Sequence, residues 1–437
     1  MSRNAIDDGG RRGECASGPY KQRDRVTDNT TSDAPPSSGP LTGLRVLELG
    51  HFVAAPFCTR LLGDLGADVI KVEPPKGDPV REWGARLAGE PLWWSVHGRN
   101  KRCVTLDLKH PKGRETVLAL VAHCDVLVEN FRPGQLDRLG LTEVALRAAR
   151  PDLVIARISG YGQDGPQRDR ASFGVIGEAV GGLRYLTNHA PGTSDLPPVR
   201  VGLSIGDSVA GIYACFGIMA ALWKRGAAAC QGVSVDVALS EAIASLLEGA
   251  LPEYGALGII RQPSGGRIAT AAPTNAYRTR DDIWLLIAAN SDALFRRLAG
   301  AMEAPDLLED PRFAGNQARV ANAEALDARI TEWTLQRDVA ALELVLAAAD
   351  VPSTRAYSIA DVAADPQFLF RGMVREVEDP LLGRVLHPGI VPHVPEDPGQ
   401  IRWPGPPIGA HNREVFGGLL AMSDAALAEL VSEGVSR

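Results

Sequence analysis

RVLELGHFVAAPFCTRLLGDLGADVIKVE, Arg45 to Glu73, is the stretch whose reading decides the fold. Its first six residues, to Gly50, are a short apolar run with strand character. APFCTRLLGDLG then has the spacing of a helix, with glycine near its end. ADVIKVE, Ala67 to Glu73, is a second strand. Strand, helix and strand joined by short links make a βαβ unit, so the two strands should run parallel. The rhythm repeats outward from there. Strands are predicted at 103–108, 125–130 and 153–159, with helices at 112–122 and 135–149 between them. This alternation predicts an α/β protein with a doubly wound sheet. After Gly160 the pattern loosens. Helices are expected over 171–188, 207–225, 240–257, 291–303 and 322–349, and strands at VSVDVAL and at 283–289. The division that follows is a disordered tail at 1–40, a large α/β domain at 41–225, a small domain at 226–350, and a C-terminal part at 351–437. That last part, with MVREVEDPLLGRVLHPG as a hairpin, returns to the large domain.

The bulk properties narrow the function. A chain of 437 residues is too long for one simple core. A net charge of −7 gives no positive field to recruit nucleic acid. The six cysteines form no CxxC pair, so neither zinc nor a dithiol redox centre is signalled, and free thiols in a reducing cytoplasm are expected. The N-terminus lacks the apolar core of a secretory signal. No apolar run reaches about 18 residues, so no membrane span is expected, and Val209 to Trp223 reads as a buried helix. No histidine and carboxylate cluster has metal-ligand spacing, and no G-x-S-x-G elbow occurs.

In a doubly wound sheet, ligands bind beyond the carboxyl ends of the strands. Three loops lie there. GHFVAAP, Gly50 to Pro56, opens a helix and offers free N–H groups to an anion, with His51 either touching a ligand or capping the turn. ENFRPG, Glu129 to Gly134, brings Asn130 for hydrogen bonds, Phe131 as a flat face for a base, and Arg132 with Arg138 for phosphate; its bland alternative is a Pro-Gly turn. GYGQDG, Gly160 to Gly165, matches G-x-G-x-x-G, which would make an NAD-dependent oxidoreductase. Pro166 and QRDR follow it instead of a helix start, so the match reads as turn glycines. A basic cluster, GRNKR at 98–102, is either a phosphate patch or a solvated loop.

At these loops the chain resembles a known family. LTGLRVLELGHFVAAPFCTRLLGDLGADVIKVEPPKGD, GRNKRCVTLDLK, DVLVENFRPGQLDRLGL, ISGYGQDGP, IGDSVAGIYACFGIMAALW and GAHNREVF together resemble family III CoA-transferases, the group of formyl-CoA and carnitine CoA-transferases and the related 2-methylacyl-CoA racemases. The resemblance implies a Rossmann-like large domain built from both chain ends, a smaller middle domain, and an interlocked dimer. It implies an acyl-CoA and a carboxylic acid as substrates, with coenzyme A held as substrate rather than as a permanent cofactor. The implied assembly is a homodimer, or a heterodimer with a paralogue, in the cytoplasm. By position, His51 and Val53 line the thioester end of CoA. Asn130 and Phe131 hold its nucleotide, and Lys76, Arg138 and Arg102 face its phosphates.

The catalytic segment departs from the family pattern. Where relatives carry an aspartate in RPGFDxxxQAxSG, this chain has RASFGVIGEAVGG, with Gly174 in the aspartate's place. The racemases' histidine base is Phe173 here, and their second base aligns with Asp207. A transferase needs a carboxylate that attacks the thioester, passes through a mixed anhydride and becomes a CoA thioester itself. Glu178, one helical turn beyond Gly174, is the expected replacement, with Asp164 and Asp169 as weaker ones. The alternative is a non-catalytic CoA-binding subunit working beside a paralogue that carries the aspartate; an acyl-CoA racemase or isomerase ranks below both.

Overall fold

The computed structural model describes residues 38–227 and 232–437. Most of the expected N-terminal tail therefore lies outside the described residues. The large sheet has six parallel strands: β1 (Arg45–Glu48), β2 (Asp68–Glu73), β3 (Lys101–Thr105), β4 (Val126–Glu129), β5 (Val154–Ser159) and β6 (Ser234–Ala238). Their order is β3-β2-β1-β4-β5-β6, with Leu47 opposite Ile70 on one side and Leu127 on the other. Strands added outward in both directions from β1 make a doubly wound sheet, and the order reverses between β1 and β4.

Alternation along each strand fills both faces. Val46, Val69, Val126, Val154 and Ala156 face α1 (Ala54–Asp64). Leu47, Ile70, Val104, Leu127 and Ile155 face α2 (Pro111–Ala122). Both sets are fully buried, as a parallel sheet covered on two sides requires. The second face is completed by the end of the chain, which adds Val415, Phe416, Leu430 and Val435 to the same core.

Helices expected as single runs are broken by glycines and polar turns. Residues 135–149 form α3 (Gln135–Arg138) and α4 (Glu143–Ala149), and 171–188 form α5 (Gly174–Val180) and α6 (Leu183–Leu186). The next helix, α7 (Ile205–Ala227), contains a stretch, Ile205–Arg225, that is long and apolar enough to cross a membrane by length and composition, a test that core helices also pass. Here it lies on the sheet, with Ala210, Ala214, Ile218, Ala221 and Leu222 in the core beside α1. Residues 228–231, around the expected boundary at 226, lie outside the described residues. Beyond them β6 pairs with β5, so a strand expected in the middle segment is an edge of the large sheet. A separate antiparallel sheet of Thr274–Arg278, Trp284–Ala288 and Ser353–Arg355 packs Tyr277, Leu285 and Ile287 against helices that carry Phe295, Leu298, Ile330 and Leu342. The hairpin expected near the C-terminus is formed by Val374–Asp379 and Gly383–Pro388.

Candidate active site

The reversal between β1 and β4 brings two of the three candidate loops together. The His51 N–H donates to Asn130 Oδ1 at 2.8 Å, and Asn130 Nδ2 donates back to the His51 carbonyl at 2.9 Å. The His51 ring stands edge-on to Phe131, with centroids 5.2 Å apart. This close approach needs Gly50, since a side-chain carbon there would meet Ala55 Cβ at 2.3 Å and Asn130 Oδ1 at 2.9 Å. Val53 is at the entry of α1 and only 3% exposed, so it shapes the loop from below.

Underneath is a buried ionic network that the sequence reading missed. Lys71 Nζ lies 2.6 Å from Glu48 and 2.7 Å from Asp78, and it also donates to the Gly50 carbonyl at 2.9 Å. Lys101 reaches Glu48 at 2.9 Å and the Pro56 carbonyl at 2.7 Å. Asp78 Oδ1 accepts from the Phe52 and Val80 N–H groups. All four charged side chains are buried. Burial alone would discharge Lys71, but the Asp78, Glu48 and Glu73 carboxylates reverse that and raise its pKa. Lys71 therefore stays charged, although burial lowers the Lys101 pKa, and the network pins the turn after β1 through the Gly50 and Pro56 carbonyls and the Phe52 N–H. Burial, with Lys71 close by, lowers the His51 pKa and favours a neutral ring. His51 Nδ1 makes no hydrogen bond and lies 4.0 Å from Asp78 Oδ2. The signal in the sequence was the charge inside VLEL and VIKVE, since residues of central parallel strands are seldom ionic.

The basic candidates divide. Arg138 is exposed beside Gly134, and a carbon on Gly134 would lie 3.5 Å from Arg138 Nη1 and 3.8 Å from Arg168 Nη2. Two guanidiniums thus flank the turn that follows Phe131, and Arg168 is an addition to the expected set. Lys76 is exposed and forms no ion pair among the described residues. Arg102 does not join them. It sits near the start of β3, at the end of the sheet away from these loops, and is held bidentately by Asp68 at 2.9 and 2.6 Å with Glu414 at 3.1 Å. The GRNKR cluster as a whole is neither phosphate patch nor solvated loop. Arg99 is fully buried on Asp64 and the Pro388 carbonyl, and Asn100 also bonds Asp64. GYGQDG is a turn without a helix behind it: Gly162 N–H bonds Ser159 Oγ, and Gln163 N–H bonds Asp236.

The catalytic segment has an unexpected neighbour. A side-chain carbon built on Gly174 would lie 2.1 Å from Asp207 Oδ2. The Asp207 carboxylate, from the first turn of α7, thus fills the space over Gly174. Burial and the nearby Glu178 carboxylate push the Asp207 pKa up to about 6, with Arg200 pulling the other way. Glu178 is completely buried. Its Oε1 accepts a long 3.4 Å bond from Gly206 N–H, and its Oε2 has no hydrogen-bond partner. Arg200 and Arg184 stand 3.9 and 4.0 Å from that oxygen. Two carboxylates and two guanidiniums therefore share one small site, which suits acyl transfer to a carboxylate.

A family model described as CoA-transferase family III matches residues 41–412. The chain belongs to that family. It is an enzyme that moves coenzyme A between carboxylic acids. It is 46% identical to the succinyl-CoA–D-citramalate CoA-transferase of Chloroflexus aurantiacus, over 93% of this chain and 100% of that one. It is 37% identical to the succinyl-CoA–L-malate CoA-transferase beta subunit of the same organism, over 91% and 98%. Among solved structures it is similar to a CAIB/BAIF family protein from Brucella suis, with a TM-score of 0.76 and 33% identity over 87% of this chain and 100% of that chain.

Proposed function

We propose that this CoA-transferase takes CoA from a dicarboxylic acyl-CoA such as succinyl-CoA, and that Asp207 is the carboxylate that carries it. The observation behind the assignment is the Asp207 carboxylate lying over Gly174. The glycine is then the space that lets a carboxylate arrive from α7, and no replacement for a lost side chain is needed. Glu178, the sequence-based candidate, becomes the buried neighbour that raises the Asp207 pKa and so its nucleophilicity.

Asp207 attacks the thioester carbonyl, and the tetrahedral adduct expels CoA thiolate to leave a mixed anhydride. The thiolate attacks the anhydride at the Asp207 carbonyl, releases the donor acid and forms the Asp207–CoA thioester. The acceptor carboxylate then attacks that thioester, expels CoA thiolate and forms a second anhydride. The thiolate closes the cycle by attacking the acceptor's carbonyl, which frees Asp207. CoA would lie with its nucleotide along Asn130 and Phe131, its phosphates toward Arg138, Arg168 and Lys76, and its thioester past His51. The names of the relatives support succinyl-CoA as donor and a hydroxy-diacid as acceptor.

An interlocked dimer in the cytoplasm, with a Rossmann-like domain from both chain ends, accompanies this reading. The outer face of α7 supports the dimer, with Ile212, Phe216 and Trp223 exposed in helical register, the last two at 71% and 76%.

Incubation with succinyl-CoA, hydroxylamine trapping and peptide mass spectrometry test the assignment. A hydroxamate on Asp207 is expected. A mark on Glu178, Asp164 or Asp169 would overturn it, and no mark with no acceptor used would return the chain to the non-catalytic subunit reading.

A further inference from the structure

Arg200 is placed differently from the other buried-site cations. Lys71, Lys101 and Arg99 each hold carboxylates at hydrogen-bond distance. Arg200 is half exposed, and its carboxylate neighbour, Glu178, is 3.9 Å away. None of its guanidinium donors meets an acceptor at hydrogen-bond distance among the described residues. Arg184 shares that stand-off at 4.0 Å, and its Nη2 donates to the Pro198 carbonyl at 3.4 Å, which ties it to the loop that carries Arg200. The buried Glu178 Oε2 is left without a hydrogen bond between them. An orphaned buried carboxylate oxygen facing one open guanidinium and a second that is only partly engaged calls for an explanation in function.

Charge bookkeeping supplies one. In the resting site, Glu178 and Asp207 balance Arg184 and Arg200. When Asp207 becomes an anhydride its charge passes to the CoA thiolate, and when it becomes a CoA thioester that charge leaves with the released donor acid, so one guanidinium loses its nearest counter-ion in the site. A monocarboxylic acyl group brings no charge to meet it. A dicarboxylic acyl group brings one, on its far carboxylate, a few carbons from the reacting carbonyl. A guanidinium fork is the group best shaped to take such a carboxylate through two parallel bonds.

We infer that Arg200, backed by Arg184, is the specificity-determining seat for the far carboxylate of a dicarboxylic acyl group, so that the enzyme selects short diacids over monoacids of equal length. This rests on the proposed Asp207 chemistry.

The test is exchange of label between free acid and its CoA thioester, run with the four-carbon pair succinate/succinyl-CoA and butyrate/butyryl-CoA. Wild type should prefer the succinyl pair. Arg200→Gln should lower kcat/KM for succinyl-CoA by about 10–100-fold, the range for one lost charge-assisted bond, mainly through KM. Butyryl exchange should hold or improve. Arg200→Lys should keep part of the preference, and circular dichroism checks folding of both variants. Equal losses on both pairs would make Arg200 a positioning residue for the reacting groups and overturn the inference. So would an unchanged ratio, or a wild type indifferent between the pairs. A wild type that exchanges label with no acid at all would instead count against the transfer reading itself.

Discussion

Removing the Asp207 charge should stabilise this enzyme while disabling it. The Asp207 carboxyl, ordinarily near 3.8, is pushed up to about 6 by burial and by Glu178. Its folded-state pKa therefore lies above its unfolded one. The ionised carboxylate costs the fold nothing well below pH 3.8. The cost grows between about pH 4 and 6 and is constant above that range. At about 1.4 kcal/mol per pH unit the displacement amounts to about 3 kcal/mol. Asp207 keeps part of its surface in water, so screening reduces the expected figure to about 1–2 kcal/mol. Asp207→Asn removes that charge with little change in shape. Its urea midpoint should exceed wild type by the equivalent of about 1–2 kcal/mol at pH 8, and by roughly half to two thirds of that at pH 4.5. Transfer from succinyl-CoA should fall by several orders of magnitude, as loss of a covalent nucleophile does. A variant that is no more stable than wild type at pH 8, or that gains equally at both pH values, would refute the electrostatic account. Retained transfer would refute the nucleophile.

Four further outcomes are expected. The wild-type kcat/KM profile should have an acidic limb near pH 6, falling about tenfold per pH unit below it as Asp207 takes up its proton; an initial-rate series shows it. Gly174→Ala places a carbon 2.1 Å from Asp207 Oδ2 and must displace it, so activity should drop far more than the about 1–3 kcal/mol of stability that overpacking removes, seen by comparing rate with denaturation. Arg138→Ala should weaken CoA by about 1–3 kcal/mol in calorimetry, while Arg102→Ala should leave CoA affinity unchanged and lower thermal stability, because Arg102 holds Asp68 and Glu414.

Much of the architecture is written in alternation. Val46 and Leu47 point to opposite faces of β1, and the same period through β2, β4 and β5 announces a parallel sheet covered on both sides. The loop residues His51, Asn130 and Phe131 were legible because the switch point of such a sheet lies where their strands end. Failures came where local signals are silent about partners. Arg102 and Arg99 looked like a basic patch, but their carboxylates, Asp68 and Asp64, lie more than thirty residues earlier in the chain. Asp207 was read only as a racemase-like base, because spacing along the chain does not show that α7 delivers its carboxylate to Gly174. The split of 171–188 at Gly181 and Gly182 was visible as a glycine pair, yet the apolar period carried across it.

The return of the C-terminus to the large sheet has a consequence for how the protein is made. Val435 accepts a hydrogen bond from Asp107 N–H at 2.7 Å, and Phe416 and Leu430 lie in the core behind β3 and β4. A ribosome delivers the N-terminal strands first, and domains ordinarily fold as they emerge. Here one apolar face of the nascent sheet stays incompletely covered until residues 415–435 leave the exit tunnel. The time between translation of β4 and emergence of residues 415–435 is thus its window of exposure, and chaperone demand should scale with that interval more than with the stability of the finished enzyme.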